Sequence, residues 1–385
     1  MEFHSGKYRL EHWPGQADTE GACRVALTDE SVIVAPDSGG EYSLYYSDID
    51  RVFEHDHRIE LHHFGGSVLT VYFLGTWFGQ CLADLRLKRG AQLVRNLGML
   101  DAAFEKEFQG AYEFEAPDGA RHGDRACRIS LYRTSMVVEP AGGDFWSVAY
   151  ADIEAMTFDP GRYALDLRLD LGERISFRML GTRFGELEKE LRRLSSEMYK
   201  RTAASLAETV PEAVASDLAV LLRQGKAVPQ ARVLTLAPGF WPAFPPERQA
   251  SLDYLRSLTD HIYVGYREAF AGEQPIYWYV AVFPEQGRLA VEVPSEEGNA
   301  TYVYRLDGPE ERSVGLLSRA MVALNFRREV ISASEAQLAD GRMARYRVAV
   351  RKLPYLRRLR ELFVGKASHT DGWQRRIGEL VGICS

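Results

Sequence analysis

The sequence predicts an α+β protein in which one β-rich unit occurs twice, over residues 1–102 and 103–204, and is followed by a mixed C-terminal domain. Three observations lead to this prediction: an internal repeat, an alternation of apolar and polar residues in both copies, and a change of pattern after Arg201. The chain has 385 residues, which is too long for one ordinary core, so two or three domains are expected.

The internal repeat consists of identities that stay in register between the two copies. The copies align at an offset of 104 residues as far as Arg58 and Arg162, and at an offset of 106 after a two-residue insertion in the second copy. Identities kept in register over this length indicate a duplicated domain. The matching segments are Ala22–Val25 and Ala126–Ile129, Tyr46–Ile49 and Tyr150–Ile153, and Leu74–Gly79 and Leu180–Gly185.

Each copy is predicted to be a run of short strands that ends in one helix. Apolar and polar residues alternate over Arg58–His62 and Ala164–Leu171, a period typical of half-buried strands. Thr76 and Thr182 follow the last strand and are expected to cap the helix, because a threonine hydroxyl can accept a hydrogen bond from a free amide of the first turn. In the second copy, four apolar residues share one face of this helix: Leu187, Leu191, Leu194 and Met198.

About six or seven short strands closed by an amphipathic helix, with Tyr-x-Asp-Ile in mid-domain, resemble the pleckstrin-homology superfold and its bacterial and GRAM-like members. The resemblance covers residues 3–100 and 107–203, and it implies two tandem pleckstrin-homology-like barrels, each closed by its C-terminal helix. Members of this superfold bind peptides, proteins or membrane surfaces. The first hairpin of each copy, Trp13–Gly21 or Ala116–Arg125, lacks the basic cluster of phosphoinositide-binding members, so that mode of binding is not expected.

The pattern changes after Arg201, and no family resemblance is recognised in the C-terminal half. Residues 205–247 are predicted as a helical and proline-rich connector, and residues 248–385 as an α+β domain with a basic tail. Because this domain also runs from strands into a helix, the interpretation that it is a diverged third copy of the repeat is kept as an alternative. The predicted helices are Thr209–Gln224, Arg248–Ala269, Glu310–Arg328, Leu353–Phe363 and Trp373–Val381, and the predicted strands are Ile276–Phe283, Arg288–Val293, Ala300–Leu306 and Arg345–Arg351.

Composition and missing motifs argue against several classes of protein. No apolar run is long enough for a membrane span, and the N-terminus lacks the features of a signal peptide, so a cytoplasmic location is expected. The four cysteines form no Cys-x-x-Cys pair, and the motifs of nucleotide-binding, metalloprotease, serine-hydrolase and calcium-binding proteins are missing. The sequence therefore predicts neither an enzyme nor a bound cofactor.

Four histidines lie close together in one predicted hairpin of the first copy: His55, His57, His62 and His63. Imidazole groups bind zinc or copper, and two adjacent strands could bring His57 and His62 together. The second copy has no histidine at these places, and no obvious cysteine or carboxylate completes a ligand set. Solvated hairpin residues are therefore the preferred interpretation, and a metal site is the alternative.

Two chemically capable residue types recur in both copies. Cys23 and Cys127 occupy equivalent positions within predicted strands, where a small buried core residue explains both copies better than a catalytic nucleophile does. Asp48 and Asp152 also recur, and each is predicted to fix a turn by hydrogen bonding between its side chain and the backbone. The repeated residues are thus interpreted as scaffold.

The basic tail is the strongest candidate for a functional site. Residues 331–385 contain 11 Lys and Arg against 5 Asp and Glu, which gives this segment a net charge of +6. Because the whole chain carries −7, residues 1–330 carry −13. A basic amphipathic helix can bind an acidic protein, an anionic lipid or a phosphate backbone. The alternative is the solvated face of a packed helix, with Arg357 and Glu361 as an i, i+4 ion pair. The candidate residues for binding an anion or a partner are Arg351, Lys352, Arg357, Arg358, Arg360, Arg375 and Arg376.

An aromatic run, Tyr277-Trp278-Tyr279, is the remaining candidate. Aromatic side chains can stack nucleobases in a groove for single strands. In a strand, however, Trp278 points to the face opposite the two tyrosines, and no basic residues are interleaved with the run. Packing in a core or an interface is therefore the preferred interpretation.

Together these features predict a non-enzymatic scaffold or binding module that acts through protein–protein interaction. The first alternative is binding of nucleic acid or an anionic membrane through the basic tail. The second alternative is an enzyme with a site in the C-terminal domain. The acidic N-terminal two-thirds argues against docking of the repeats themselves on DNA or anionic lipid, and the sequence indicates neither a particular partner nor an oligomeric state.

Overall fold

The computed structural model describes residues 2–96, 103–140, 146–238, 240, 246–269, 274–293, 300–338 and 343–383. Its strands form three antiparallel sheets, two of seven strands and one of six, and helices pack on them. The predicted α+β class is therefore confirmed. Among these residues, no helix combines the length and the apolar character that crossing a membrane requires.

The first repeat is a seven-stranded sheet followed by one helix. Its strand order is β4-β3-β2-β1-β7-β6-β5, so the first strand lies in the middle and pairs with both neighbours. The helix α1 (Phe78–Asn96) begins after a 3-10 turn at Gly75–Trp77. The strands are β1 (His4–Glu11), β2 (Thr19–Leu27), β3 (Ser31–Pro36), β4 (Tyr42–Tyr45), β5 (Ile49–His55), β6 (Arg58–His63) and β7 (Val68–Tyr72).

The second repeat has the same topology, as a duplicated domain requires. Its strand order is β11-β10-β9-β8-β14-β13-β12, and the helix α2 (Phe184–Leu206) follows a 3-10 turn at Gly181–Arg183. The four apolar residues predicted on one face of this helix are all buried in the core of the repeat. The strands are β8 (Phe104–Glu115), β9 (Arg121–Tyr132), β10 (Ser135–Pro140), β11 (Trp146–Ala149), β12 (Ile153–Asp159), β13 (Ala164–Leu169) and β14 (Arg174–Arg178).

The tyrosine of Tyr-x-Asp-Ile has the same role in both copies. Tyr46 and Tyr150 are buried, and their hydroxyls donate hydrogen bonds of 2.9 and 2.8 Å to the backbone carbonyls of Thr28 and Tyr132. A buried hydroxyl without a partner would be costly, so the bond lets each ring fill the core and ties two parts of the sheet together.

The expected threonine caps are wrong. Because the chain enters each helix through a 3-10 turn, Thr76 and Thr182 lie inside that turn rather than ahead of the helix, and no side chain caps either turn. The residue before each Leu-Gly-Thr has a left-handed backbone: φ is +56° at Phe73 and +57° at Met179. Both side chains are exposed, Phe73 to 71% and Met179 to 80%.

The C-terminal domain is a six-stranded antiparallel sheet with helices on both faces. Its strand order runs β15-β16-β17-β18-β19-β20, without the arrangement of the repeats, so it is not a third copy of them. The strands are β15 (Ala227–Pro229), β16 (Ile262–Arg267), β17 (Ile276–Phe283), β18 (Arg288–Glu292), β19 (Ala300–Arg305) and β20 (Phe363–Ser368). The helices are α3 (Glu212–Leu221), α4 (Gln230–Leu236), α5 (Pro246–Leu258), α6 (Glu310–Ala323), α7 (Glu329–Ser332), α8 (Glu335–Leu338), α9 (Ala344–Lys352), α10 (Pro354–Leu362) and α11 (Trp373–Val381).

Two apolar cores lie on opposite faces of this sheet. One core joins the sheet to α6, α9 and α10 through residues such as Leu317, Val348 and Leu356. The other joins it to α3, α5 and α11 through residues such as Leu218 and Ile377. The segment predicted as a connector, 205–247, contributes β15 to the sheet and several residues to the second core.

Two predicted elements of this domain are wrong. Arg345–Arg351, predicted as a strand from its alternation, lies in α9, and the edge strand is β20 instead. The predicted helix Arg248–Ala269 ends at Leu258, and the following apolar residues form β16. The first error arises because a short stretch of helix can alternate as a strand does, and the second because a strand covered on both faces has no alternation.

Candidate functional site: a basic groove and two acidic sockets

A groove of about 590 Å³ lies between the first repeat and the C-terminal domain, and four of the predicted tail residues line it. These are Arg351, Lys352, Arg357 and Arg360; Arg51 of the first repeat joins them. We call this the basic groove. Its remaining charged and aromatic lining residues are Asp50, Glu335, Glu361 and Phe64.

The basic groove owes its charge to the way α9 and α10 pack. Pro354 opens α10, where its missing N–H is no loss, and Leu356 and Leu359 of this helix are buried against the sheet. The arginines between these leucines therefore face outward. Arg357 is exposed, and within the described parts of the chain no carboxylate forms an ion pair with it, although Glu361 lies in the predicted i, i+4 position and lines the same groove.

The other cations of the groove have partners within the chain. The Lys352 ammonium group lies 2.6 Å from a carboxylate oxygen of Asp50 and also donates to the backbone carbonyl of that residue. Arg351 donates to Glu335 at 2.7 Å, and its guanidinium lies 4.7 Å from the centre of the Phe64 ring. The groove is thus partly neutralised from within, and an acidic ligand would compete with Asp50 and Glu335.

The seven predicted tail cations do not form one surface. Arg358 pairs with Asp307 at 2.7 Å and with Glu361 at 2.9 Å, beside the groove. Arg375 and Arg376 lie on α11, which packs on the opposite face of the sheet, and both pair with Glu379. The basic tail is therefore divided between two sides of the C-terminal domain.

The recurring aspartates receive cations instead of fixing turns through the backbone. In the first repeat, Asp48 forms an ion pair with Arg347 of α9, and Asp50 binds Lys352 as described above. Phe64 lies beside this pair of aspartates, and its ring faces Lys352 and Arg351. We call Asp48, Asp50 and Phe64 the first socket.

The second repeat has a more buried counterpart, formed by Asp152, Asp170 and Glu173, which we call the second socket. Lys226 binds Asp152 at 2.5 Å and also binds Asp170, while Arg319 of α6 binds Asp170 and, at 2.6 Å, Glu173. Side-chain exposure in this cluster ranges from 7% to 15%. Cations and carboxylates are therefore desolvated together.

The pKa of Asp170 responds both to its burial and to the cations of the second socket. Burial alone would raise this pKa, but the positive charges of Lys226 and Arg319 and their hydrogen bonds hold it below its ordinary value. Burial likewise disfavours the charged form of Arg319, yet the carboxylates of Asp152 and Asp170 raise its pKa. At Asp170 and Arg319 the opposite charges therefore shift the pKa further than burial does.

Close backbone approaches position both partners of the second socket. Gly225 has a left-handed φ of +86°, and a Cβ there would lie 2.9 Å from Val322 of α6, so the turn that carries Lys226 can rest directly on that helix. A Cβ at Gly315 would lie 2.8 Å from a methyl group of Leu171. The missing side chain lets the hairpin of the second repeat reach the core of the C-terminal domain.

The four histidines do not meet at one point, although His55 and His62 share Glu60 as a partner. His57 lies in the turn between β5 and β6, roughly 16 Å along the strand from His62 at the rise of an extended chain. His55 and His62 each lie 3.3 Å from Glu60, and burial, together with the charge of Arg351, lowers the pKa of His63. Among the described residues, no group of three or more histidine, cysteine or acidic side chains could hold a metal ion.

The cysteines and the aromatic run belong to the cores. Burial raises the pKa of the Cys23 and Cys127 thiols to about 11, so the nucleophilic thiolate is scarce at neutral pH. Cys384 lies outside the described residues. Trp278 and Tyr279 are each 1% exposed and point into opposite cores of the C-terminal domain, as packing residues do.

A buried polar network in the C-terminal domain has no counterpart among the sequence predictions. Ser251 Oγ lies 3.1 Å from His369 Nδ1, and His369 Nε2 lies 3.0 Å from a carboxylate oxygen of Glu292. The Glu292 carboxylate also accepts from Thr301, whose hydroxyl in turn accepts from the Trp373 indole at 2.9 Å. These residues come from α5, β18, β19, the loop after β20 and α11, and no sequence motif connects them.

Comparison with known proteins gives little beyond this geometry. No family model matches the chain, and no curated protein matches it. Among solved structures, the chain is similar to the structure of the Spt16D Pob3N heterodimer at 12% identity and a TM-score of 0.18, over 45% of this chain and 86% of that chain. A TM-score this low does not establish a shared fold.

Proposed function

We propose that the chain is a non-enzymatic scaffold whose two repeats are pleckstrin-homology-like domains and whose partner is another protein. Seven strands followed by a closing helix, with the same strand order in both copies, support the proposed fold. Proteins of one fold serve many functions, so the proposal about function depends on a site and not on the fold.

The basic groove is the observation that supports this proposal. Five cations, three carboxylates and Phe64 line a concave surface of about 590 Å³. Acidic side chains of a partner can pair with exposed Arg357 and Arg51, while an apolar residue of the same segment packs on Phe64. An acidic peptide segment with one apolar residue is the ligand that this lining fits best.

The distribution of charge favours a protein over a bilayer or a nucleic acid. Binding to a duplex or a membrane surface gains from many cations on one continuous surface. Here carboxylates are interspersed in the groove, and Arg375 and Arg376 lie on the other side of the sheet. The groove therefore offers a few directed contacts rather than an extended basic surface.

A charge-reversal variant tests this proposal. We expect Arg51→Glu with Arg357→Glu to weaken binding of a fluorescent acidic peptide, such as a glutamate-rich sequence with a central leucine, by about tenfold or more, as measured by anisotropy. Arg375→Glu with Arg376→Glu is the matched control, since it reverses the same charge on the opposite face and is expected to leave binding unchanged.

Two further arms of this experiment separate the alternatives. Vesicles containing phosphatidylserine and a single-stranded oligonucleotide are titrated against the same variants. Tighter binding of either than of the peptide, lost with Arg51→Glu and Arg357→Glu, would replace the protein partner by that ligand. Equal loss in the control variant would show that net charge, and not the groove, causes binding.

An enzyme is the second candidate, and one observation favours it. Ser251, His369 and Glu292 stand in the order nucleophile, base and carboxylate, at hydrogen-bond distances. Ser251 is only 3% exposed, which argues that this network serves the core. If it is catalytic, a fluorophosphonate probe will label Ser251 in the native chain but not in the His369→Gln variant. We expect no label on Ser251, as determined by peptide mass spectrometry.

A further inference from the structure

The same turn receives cations of the C-terminal domain in both repeats. The two turns superimpose in sequence at Asp48 and Asp152, and their backbones bond alike: the Phe64 amide donates to the Asp48 carbonyl at 3.1 Å, and the Asp170 amide donates to the Asp152 carbonyl at 3.0 Å. Phe64 and Asp170 therefore occupy the same place. In each copy this residue faces two cations of the C-terminal domain.

The elements that supply these cations are unrelated. The first socket receives Arg347, Arg351 and Lys352 from one helix, α9. The second socket receives Lys226 from the turn before β15 and Arg319 from α6. Two different basic surfaces thus pack on equivalent turns, which share Asp48 or Asp152 while their other socket residues differ.

We propose that this turn is a recognition surface for basic helical segments, and that α9 is a releasable occupant of the first socket. The first socket shares Asp50 and Phe64 with the lining of the basic groove, and α9 supplies Arg351 and Lys352 to the same lining, so release of α9 would open the groove. The ligand proposed for the socket differs from that of the groove, because it is a helix that carries lysine or arginine.

Apolar contacts distinguish the two sockets. The second repeat is joined to the C-terminal domain by its core, because Leu206 is buried in one core of that domain and Leu171 packs against the other. Within the described residues, the apolar clusters of the C-terminal domain contain no residue of the first repeat. The first repeat meets the C-terminal domain where α1 packs against α9, and in ion pairs whose side chains are 12% to 29% exposed.

Partially exposed ion pairs contribute less than buried ones and are weakened by salt and by competing charges. The first repeat can therefore leave α9 while the rest of the molecule stays folded. The spacing on α9 defines what can replace it: cations at positions i, i+4 and i+5, which span an arc of about 140° around a helix.

The test reverses charges on either side of the joint, by which we mean the contact between the first socket and α9. We expect Asp48→Arg with Asp50→Lys, and separately Arg347→Asp with Lys352→Asp, to raise the radius of gyration above the roughly 21 Å of a compact chain of this length, as measured by X-ray scattering. Combining all four substitutions restores opposite charges across the joint and should return the compact value. Lys88→Asp, which breaks an ion pair within the first repeat, is the control without an expected change.

A peptide titration tests the recognition surface itself. A helical peptide with cations at the α9 spacing should bind the Arg347→Asp, Lys352→Asp chain, whose first socket is intact and vacated, and should not bind the Asp48→Arg, Asp50→Lys chain. A peptide with glutamine at those positions should bind neither. Absence of binding to the vacated socket would overturn the proposal, as would a compact, folded chain in both reversed variants.

Milder variants serve if the reversed ones fail to fold. Asp48→Asn and Arg347→Gln remove the ion pair without introducing repulsion, and circular dichroism establishes that each is folded. A rise in hydrogen exchange confined to α9 and the first socket supports release. Unchanged exchange at both places shows that the joint is permanent and overturns it.

Discussion

Replacing Arg319 by alanine is expected to lower the free energy of unfolding by about 3–5 kcal/mol, because the change leaves buried carboxylates without their central cation. The Arg319 side chain is 7% exposed and binds Asp170 and Glu173, which are 15% and 14% exposed. Water cannot replace the lost partner at this depth without opening the second socket. Urea denaturation followed by circular dichroism measures the effect.

Arg168→Ala is the matched control for this prediction. Arg168 pairs with Glu154 on the same repeat, but the two side chains are 60% and 42% exposed, so the change is expected to cost at most about 0.5 kcal/mol. Equal effects of the two substitutions would show that the second socket does not stabilise the fold.

The effect of Arg319→Ala is also expected to depend on pH. The folded state holds the pKa of Asp170 below its unfolded value, so this ion pair stabilises the protein fully above the ordinary carboxyl pKa of about 4. The stabilisation is lost as the pH falls through the lower, folded pKa, because the carboxylate is then protonated. The gap between wild type and variant should therefore narrow in acid, and a gap that is constant with pH would contradict the charge-based explanation.

Trp278→Ala is expected to cost about 3–5 kcal/mol, because it empties a large volume in the core between the sheet and α6. The indole is 1% exposed, stacks edge-on against Phe326 at 5.6 Å and lies so close over Gly265 that a Cβ there would be 2.1 Å from Nε1. Among the described residues, no neighbouring side chain is placed to fill the space that the indole leaves. The loss is measured by urea denaturation.

Tyr45→Ala is the control for Trp278→Ala. Tyr45 is an aromatic side chain in a strand, 51% exposed, and its loss is expected to change stability by no more than about 0.5 kcal/mol. The alternative role of the aromatic run predicts a different pattern. If Trp278 stacked nucleobases, the alanine variant would keep its stability and lose binding to single-stranded DNA.

The duplication and its strands could be predicted from the sequence because both signals are local. Residues that alternate along β6 and β13 have one buried face and one exposed face, and the pattern follows directly. The identities at a constant offset made the second copy a check on the first. Burial of the Tyr-x-Asp-Ile tyrosine and of both cysteines is consistent with the scaffold role predicted for repeated residues.

The C-terminal domain was harder to predict because its sheet is covered on both faces. β16 is buried along its whole length, so it carries no alternation, and its apolar run merges with the end of α5. α9 shows the opposite error, since Arg345–Arg351 alternates as a strand would while Tyr346, Val348 and Val350 pack as part of a helix.

The two sockets could not be predicted from the sequence, although the recurrence of one aspartate pointed to them. Asp48 and Asp152 recur, which indicated a shared role, but their cations lie between 74 and 299 residues away along the chain. Lys226 and Arg347 look like ordinary surface charges until the fold brings them to the turn. Pairs that are distant in sequence need a structure to be found.

Phe73 and Met179 record the history of the duplication. The two positions share a left-handed backbone, φ +56° and +57°, but not a side chain. A residue other than glycine pays about 1 kcal/mol for this conformation, and both copies adopt it. The main chain therefore enters the helix along the same path in both copies, while the exposed side chain differs between them. A reporter group attached at residue 73 or 179 would therefore replace an exposed side chain that differs between the two copies.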